Sequence, residues 1–445
     1  MKKTTLSRRE FLGKTSVGLA VAGATGAAPR SFAISGSPKA LALHGGTPVR
    51  STPFPDWPQT TEADEQNILK SLRSHHWCVG DAEFIPKFEK AWAGKVGTSG
   101  CVMTPCGTHA LQMALELLGV GPGDEVITSP YTYIATVDAI MMGYSLPVFA
   151  DSDLKTFQLD PDDIEHRITE RTRALMPVHI YGAPSHLDKV LAIGKKHNIP
   201  VIEDACQAHH AEWKGQKVGS WGTVGCFSFQ ESKVLPGGEA GALVSDDDDL
   251  IARAYMFRNF GSNPKTHQYE MRGFKYRISD FAAAVLMAQI ERYEELCVKR
   301  ESHAAYLQAE LKKIPGFVTQ ENYPESTRQN HYCFGMRFDP EHFKNVPRAK
   351  VMAALRAEGI MADGGYNPLN KEPFLEQCLS SRGFQAVFSP ERLEKYRRDN
   401  HLPRNDQLCA TAFLLEQNVL MGEKSDVDDV LEAINKVQLN ASVLA

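Results

Sequence analysis

Nine cysteines are scattered between Cys78 and Cys409, with no C-x-x-C pair and no cysteine–histidine cluster. A zinc site or a disulfide scaffold needs closely spaced ligands or partners, so no metal is expected and the cysteines read as small buried apolar side chains. An excess of basic charge is also missing. The 49 Lys and Arg against 54 Asp and Glu leave a formal charge of -5, which offers nucleic acid no electrostatic footprint. No run approaches the ~18 apolar residues of a membrane-spanning helix, and no internal repeat is visible. What is present is 42% hydrophobic and 23% charged residues over a 445-residue chain, enough to bury a sizeable core in more than one domain.

Residues 1–33 stand apart. Met1-Lys2-Lys3 is a basic start, Ser7-Arg8-Arg9-Glu10-Phe11-Leu12 is a twin-arginine pattern, and Val17 to Ala28 is a Gly- and Ala-rich apolar run too short for a stable span. Together they read as an export signal for the twin-arginine translocase, cleaved after Ala33. The mature protein is then expected to be soluble and periplasmic or otherwise extracytoplasmic.

Residues 34–61, rich in Pro, Gly and Thr, read as an extended arm. A helix from Glu62 carries Ile68, Leu69 and Leu72 on one face. A second carries Phe84, Phe88 and Trp92 four apart, the spacing of a core stripe. From about residue 100, short apolar runs alternate with helical patterns, which indicates a mostly parallel sheet covered by helices on both faces. Ligands of such sheets sit outside the carboxyl ends of the strands. Gly107-Thr108 opens a helix just after one predicted strand, where backbone N–H groups and a hydroxyl favour a phosphate. Tyr133 and Asp204 also follow predicted strands, so one crevice collects all three. Asp246 to Asp249 reads as a helix N-terminus, and Ser279-Asp280 caps a long helix to Leu311. The expected division is a large domain over 62–295 and a smaller α+β domain over 296–445, in which a loop from Gly365-Tyr366-Asn367 is within reach of the active site.

The stretch from Glu203 to Gly241 organises the rest. It holds Asp204 and Gln207 after a strand, Ser228 in Phe227-Ser228-Phe229, Lys233 five residues later, and a glycine-rich loop. An acid to keep a pyridine nitrogen protonated, a hydroxyl for phosphate and a lysine for a Schiff base are the parts that hold pyridoxal 5'-phosphate.

The motifs CGTHALQMALELLGVGPGDEV, SPYTYIATVDAI, LMPVHIYGAP, IEDACQAHHA, GCFSFQESKVLPGGEAGALV and FKYRISDFAAAVLMAQIERYEEL occur in order. Over roughly residues 42 to 440 the chain resembles the DegT/StrS family of pyridoxal-phosphate aminotransferases, which act on keto-sugars and keto-cyclitols; FSFQESKVL and GYNPLN look closest to the inosose and aminohydroxybenzoate branch. The resemblance implies the type I pyridoxal-phosphate fold, a homodimer with shared active sites, and amino transfer from glutamate or glutamine. It implies Lys233 as the Schiff-base lysine, Asp204 at the pyridine nitrogen, Gln207 near the ring hydroxyl, Gly107, Thr108 and Ser228 around the phosphate, and Tyr133 stacked on the ring. Lys275 stands where the family usually has an Asn that reaches the partner's phosphate. His210 replaces a usual Gly, and the Pro236–Gly241 loop has Pro and Ala240 where Thr and Gly are common. Two other readings use the same parts: a cofactor-binding sensor without turnover, and a pyridoxamine-dependent sugar dehydratase, in which a histidine replaces the lysine.

Overall fold

In the computed structural model, residues 39–445 are described; the twin-arginine pattern, the apolar run and the cleavage position lie outside them. Seven strands form the main sheet: β1 (Gly100–Thr104), β2 (Glu125–Thr128), β3 (Leu146–Phe149), β4 (Thr172–Met176), β5 (Ile202–Asp204), β6 (Val224–Ser228) and β7 (Gly241–Ser245). Their order is β3-β2-β4-β5-β6-β7-β1, with β4 and β5 joined by parallel bridges at Leu175–Val201 and Val178–Asp204. Only β7 runs against its neighbours β6 and β1. Every residue of β2, β3, β5, β6 and β7 is buried, as strands with both faces covered must be.

The helices are α1 (Glu62–Ser74), α2 (Phe84–Val96), α3 (Gly107–Leu117), α4 (Ile134–Met141), α5 (Pro161–Arg167), α6 (Leu187–His197), α7 (Asp248–Phe257) and α8 (Asp280–Leu311). Two apolar layers flank the sheet. One joins Phe88 and Trp92 of α2 and Leu286 of α8 to Phe227 and Phe229, so the predicted aromatic stripe is core. The other joins Leu111 and Met113 of α3 and Phe257 of α7 to Val102, Cys226 and Leu243. Asp247 caps α7 by accepting from the Leu250 N–H at 3.0 Å, and Ser279 caps α8 by accepting from Phe281 at 3.2 Å, both at the expected positions.

α1 inverts its pattern. Ile68, Leu69 and Leu72 are 37–46% exposed, while Asp64 and Ser71 are buried. The buried face docks on α8 through polar contacts: Asn67 donates to the Ala284 carbonyl at 3.1 Å, Ser71 to Asp280 at 2.8 Å, and Gln289 and Arg292 to Asp64 at 2.8 Å. Apolar periodicity located the stripe on α1 but not which side faces the core.

A second, antiparallel sheet follows, in the order β8 (Phe317–Thr319), β9 (Cys333–Phe338), β11 (Ala412–Glu416), β10 (Ala362–Gly364). Helices α9 (Arg348–Ala357) and α14 (Lys424–Leu439) pack together beside it. Between β10 and β11 lie four short helices, α10 (Pro373–Leu379), α11 (Arg382–Val387), α12 (Pro390–Asp399) and α13 (Pro403–Thr411). Leu375, Phe384, Phe388 and Tyr396 from this group close over Leu146 and Phe149 at the β3 edge.

Candidate active site

The carboxyl ends of β1, β5 and β6 meet in one place. β1 ends at Thr104, and α3 starts at Gly107 after an extended Cys106, with no side chain capping its first turn. A Cβ on Gly107 would lie 2.7 Å from the Ser228 Cβ and 2.8 Å from the Cys206 Sγ. One on Gly241 would lie 2.4 Å from the Cys106 carbonyl carbon. Only glycine lets these strand ends approach so closely. Ser228, at the end of β6, is buried, and among the described residues its hydroxyl meets only the Gln230 N–H, at 3.4 Å; Thr108, next to Gly107 at the start of α3, is half-buried. An uncapped helix N-terminus with two hydroxyls nearby favours an anion.

Glu203 and Asp204 are adjacent buried carboxylates with different surroundings. Alternation along β5 sends them to opposite faces. Glu203 accepts from the N–H groups of Gly219, Trp221 and Gly222 at 2.7–2.8 Å and from His179 Nε2 at 3.0 Å. His179 Nδ1 accepts from the Ser185 N–H at 3.0 Å, which leaves Nε2 to donate to Glu203. Glu203 is therefore saturated. Asp204 is 3% exposed and receives two bonds, from Thr136 Oγ1 at 2.8 Å and the Cys206 N–H at 3.2 Å. It meets no cationic side chain among the described residues. A buried carboxylate so placed has capacity for a cation brought by a ligand.

Lys233 lies in the turn after β6. Its ammonium sits 4.0 Å from the centroid of the Tyr332 ring, and its carbonyl accepts from the Trp57 indole N–H at 3.1 Å. The preceding Ser232 carbonyl accepts from Gln417 Nε2 at 2.6 Å. The Lys233 charge also reaches the fully buried His209. Burial first, and that charge second, hold the imidazole down to about 3. His209 Nε2 donates to the Ser228 carbonyl at 2.7 Å and braces the end of β6 from below.

Gln207 is 2% exposed; its Oε1 accepts from the Tyr181 N–H and its Nε2 donates to the Tyr366 hydroxyl, both at 2.9 Å. The Gly365-Tyr366 loop thus reaches the site, as the sequence led one to expect. A lysine, a buried carboxylate that meets no cationic side chain among the described residues and an uncapped helix N-terminus at the carboxyl ends of the strands agree with the comparisons. A sequence model of the DegT/DnrJ/EryC1/StrS aminotransferase family matches residues 58–434.

The chain belongs to this aminotransferase family.

The L-glutamine:2-deoxy-scyllo-inosose aminotransferase of Streptomyces kanamyceticus is 34% identical over 427 residues, 91% of this chain and 98% of that one. Among solved structures, 3-amino-5-hydroxybenzoic acid synthase is similar with a TM-score of 0.78 at 27% identity, covering 87% of this chain and 99% of the other. DesI, solved in the presence of its TDP-sugar product, gives 0.75 at 27% identity over 90% and 96%. The chain is an aminotransferase of the type I fold.

Not every expected residue joins Lys233. Tyr133, at the start of α4, is 59% exposed beside the Asp204–Thr136 pair. Lys275 is exposed on a loop that bridges back to Asn259, on the strip whose Phe274 and Tyr276 rings pack against Phe257. Tyr276 also stacks on His109 of α3 at 4.1 Å. The two remaining departures from the family have simple local accounts. His210 has φ 66, the left-handed region that the family's glycine suits. Its cost is offset by a 2.5 Å contact with Glu294 and edge-on packing against Tyr293. Ala240 needs no such conformation; Gly238, at φ 83, makes the loop's left-handed turn, and Ala240 is buried.

Sequence reading missed Thr136, Tyr332 and Trp57. Thr136 had a signal, one helical turn after Tyr133 at a helix start. Tyr332 and Trp57 are 99 and 176 residues from Lys233, and no local pattern marks them.

Proposed function

We propose that this aminotransferase carries pyridoxal 5'-phosphate on Lys233 and moves an amino group from glutamine or glutamate to a keto-cyclitol or keto-sugar. The observation that carries the reading is Asp204, a buried carboxylate that pairs with no cationic side chain among the described residues, near an uncapped helix end and the Lys233 turn. The residues suit the cofactor's two charges. The phosphate falls to the first-turn N–H groups of α3 with Thr108 and Ser228, across the clearance left by Gly107. Asp204, oriented by Thr136, holds the proton on the pyridine nitrogen. Gln207 has one N–H committed to Tyr366 and a second left for the ring hydroxyl. Tyr133, exposed at the start of α4, would be the residue to cover the ring.

When bound, the cofactor supplies an electron sink and a carrier for nitrogen. With that group bound, Lys233 Nζ would be the base that removes the donor's α-proton and then the acid that returns it. The same atom runs the steps in reverse on the acceptor. The cyclitol relatives favour glutamine as donor and an inosose-like ketone as acceptor. Lysine at 233, where dehydratase relatives carry histidine, speaks against dehydration. Purified protein should show the visible absorbance of a lysine-bound cofactor, lost in Lys233→Ala, and glutamine should convert that cofactor to pyridoxamine phosphate. Cofactor bound without conversion would leave the sensor reading instead.

The homodimer belongs to this proposal. The outward apolar residues of α1, with Trp77 at 47%, Phe274 at 46% and Tyr269 at 78% exposure, supply surface for a second copy, whose site Lys275 would enter. Sedimentation analysis checks this. We assign residues 1–33 to a twin-arginine export signal, 34–61 to the arm, and 62–295 and 296–445 to the large and small domains. N-terminal sequencing of protein recovered outside the cytoplasm tests the signal. Among the described residues no helix is long and apolar enough to cross a membrane.

A further inference from the structure

Arg300, in α8, is fully buried and has no carboxylate partner among the described residues. Removing a guanidinium from water is costly unless its donors are well used. Here every contact is to a neutral group. Nε donates to the Asn330 carbonyl at 2.9 Å, Nη1 to Gln417 Oε1 at 3.2 Å with Met421 Sδ at 3.5 Å, and Nη2 to Cys297 Sγ at 3.3 Å.

Two of these contacts lead into the site. Gln417, with Oε1 turned to Arg300, points Nε2 at the Ser232 carbonyl, the peptide that precedes Lys233. Asn330, with its carbonyl on Arg300, sends Nδ2 to the carbonyls of Gln207 at 3.1 Å and His209 at 2.8 Å. Its Oδ1 accepts from the N–H of Tyr332 at 3.1 Å, and the Tyr332 ring lies against the Lys233 ammonium. The Tyr332 hydroxyl closes the loop on Ser232 Oγ at 3.0 Å.

We propose that Arg300 is a positioning residue that sets the lysine-bearing turn against the Gln207–His209 segment. Its planar fork does what a point charge cannot: one edge fixes which way the Gln417 amide faces while another holds the Asn330 peptide. Without it, Gln417 is free to flip, and Ser232 loses its donor. The proposal rests on the assignment of Lys233 as the cofactor lysine.

The test compares wild type with Arg300→Met, Arg300→Lys and Gln417→Leu. Pyridoxal phosphate is the probe, added to cofactor-stripped protein; the readouts are the rate at which the visible lysine-bound absorbance forms and its pH midpoint. Melting temperature is measured alongside. In cofactor-free protein, the rate of Lys233 modification by an amine-directed reagent is followed by peptide mass. Losing one buried hydrogen bond predicts a change of about tenfold in capture and modification rates for Gln417→Leu. Arg300→Met should change at least as much, and Arg300→Lys should not restore wild-type rates. Wild-type rates and midpoint in either a folded Arg300→Met or Gln417→Leu, or full rescue by Arg300→Lys, would overturn the proposal. Should Arg300→Met not fold, Gln417→Leu still decides. Should wild type itself form no visible absorbance, it is the cofactor reading that has failed, and the Lys233 modification rates decide the positioning role alone.

Discussion

Gly107→Ala puts one methyl group into the meeting point of β1, β5 and β6. The new carbon would stand 2.7 Å from the Ser228 Cβ and 3.2 Å from the Ser228 Cα. Carbon atoms prefer roughly 3.5–4.0 Å, so the shortfall is about 1 Å. Rotation cannot relieve it, because both Ser228 atoms belong to or adjoin the backbone of a fully buried strand. The start of α3 must then move away from Ser228, which pulls apart the two halves of the proposed phosphate cradle. Overpacking of this kind costs about 1–3 kcal/mol. Expressed at the site, that weakens cofactor binding by about fivefold to over a hundredfold. Gly94→Ala is the control: Gly94 is exposed on α2 and an added Cβ meets nothing within 4 Å. It should raise stability by about 0.5–1 kcal/mol, with unchanged cofactor affinity. Titration of cofactor-stripped protein with pyridoxal phosphate, with thermal melts on both variants, makes the comparison. Wild-type affinity and melting in Gly107→Ala would show that the strand ends do not form the cradle.

Three further expectations follow from the geometry. Thr136→Val removes the 2.8 Å donor from Asp204 and leaves a buried carboxylate oxygen unpaired, at about 1.5–3 kcal/mol, so cofactor retention on dialysis should fall by tenfold or more. His209 and His331 are both held down to about 3 by burial. The folded chain leaves them neutral while the unfolded chain protonates them below its pKa of about 6.5, so stability should fall as pH drops from there toward 3, by about 1.4 kcal/mol per unit for each. Urea midpoints across that range should steepen accordingly, and His331→Asn, which tolerates the left-handed φ of 50, should lower the slope by about one proton; an unchanged slope would contradict the assignment. His210→Gly should change stability by no more than about 1 kcal/mol, because relief of left-handed strain opposes loss of the contact between the His210 imidazole, held down to about 4 by burial, and Glu294, whereas β-branched His210→Val should cost more by thermal melting.

Much of the site was legible because its parts are short-range. Asp204 and Ser228 end their strands, Gly107-Thr108, Gln207 and Lys233 follow one within a few residues, and the strands read as buried apolar runs. Alternation along β5 even separates Asp204 from its saturated neighbour Glu203. The four short helices between β10 and β11 were not read, although Pro373, Pro390 and Pro403 stand at helix starts where proline is favoured. They are too brief to show a period.

What the sequence alone determined is the alternation of strands and helices and the place of the candidate residues at strand ends, since local periodicity and turn chemistry act within a few residues. The tertiary structure decided everything that depends on distant segments meeting. It turned the apolar stripe of α1 outward, because polar groups on α8 had already taken its other face. It brought Trp57, Tyr332 and Gln417 around the Lys233 turn and, among the described residues, left Asp204 without a cationic partner while Glu203 received four donors. It also buried Arg300 among neutral acceptors. Burial and partner choice are properties of the packed whole, and no window of the chain contains them.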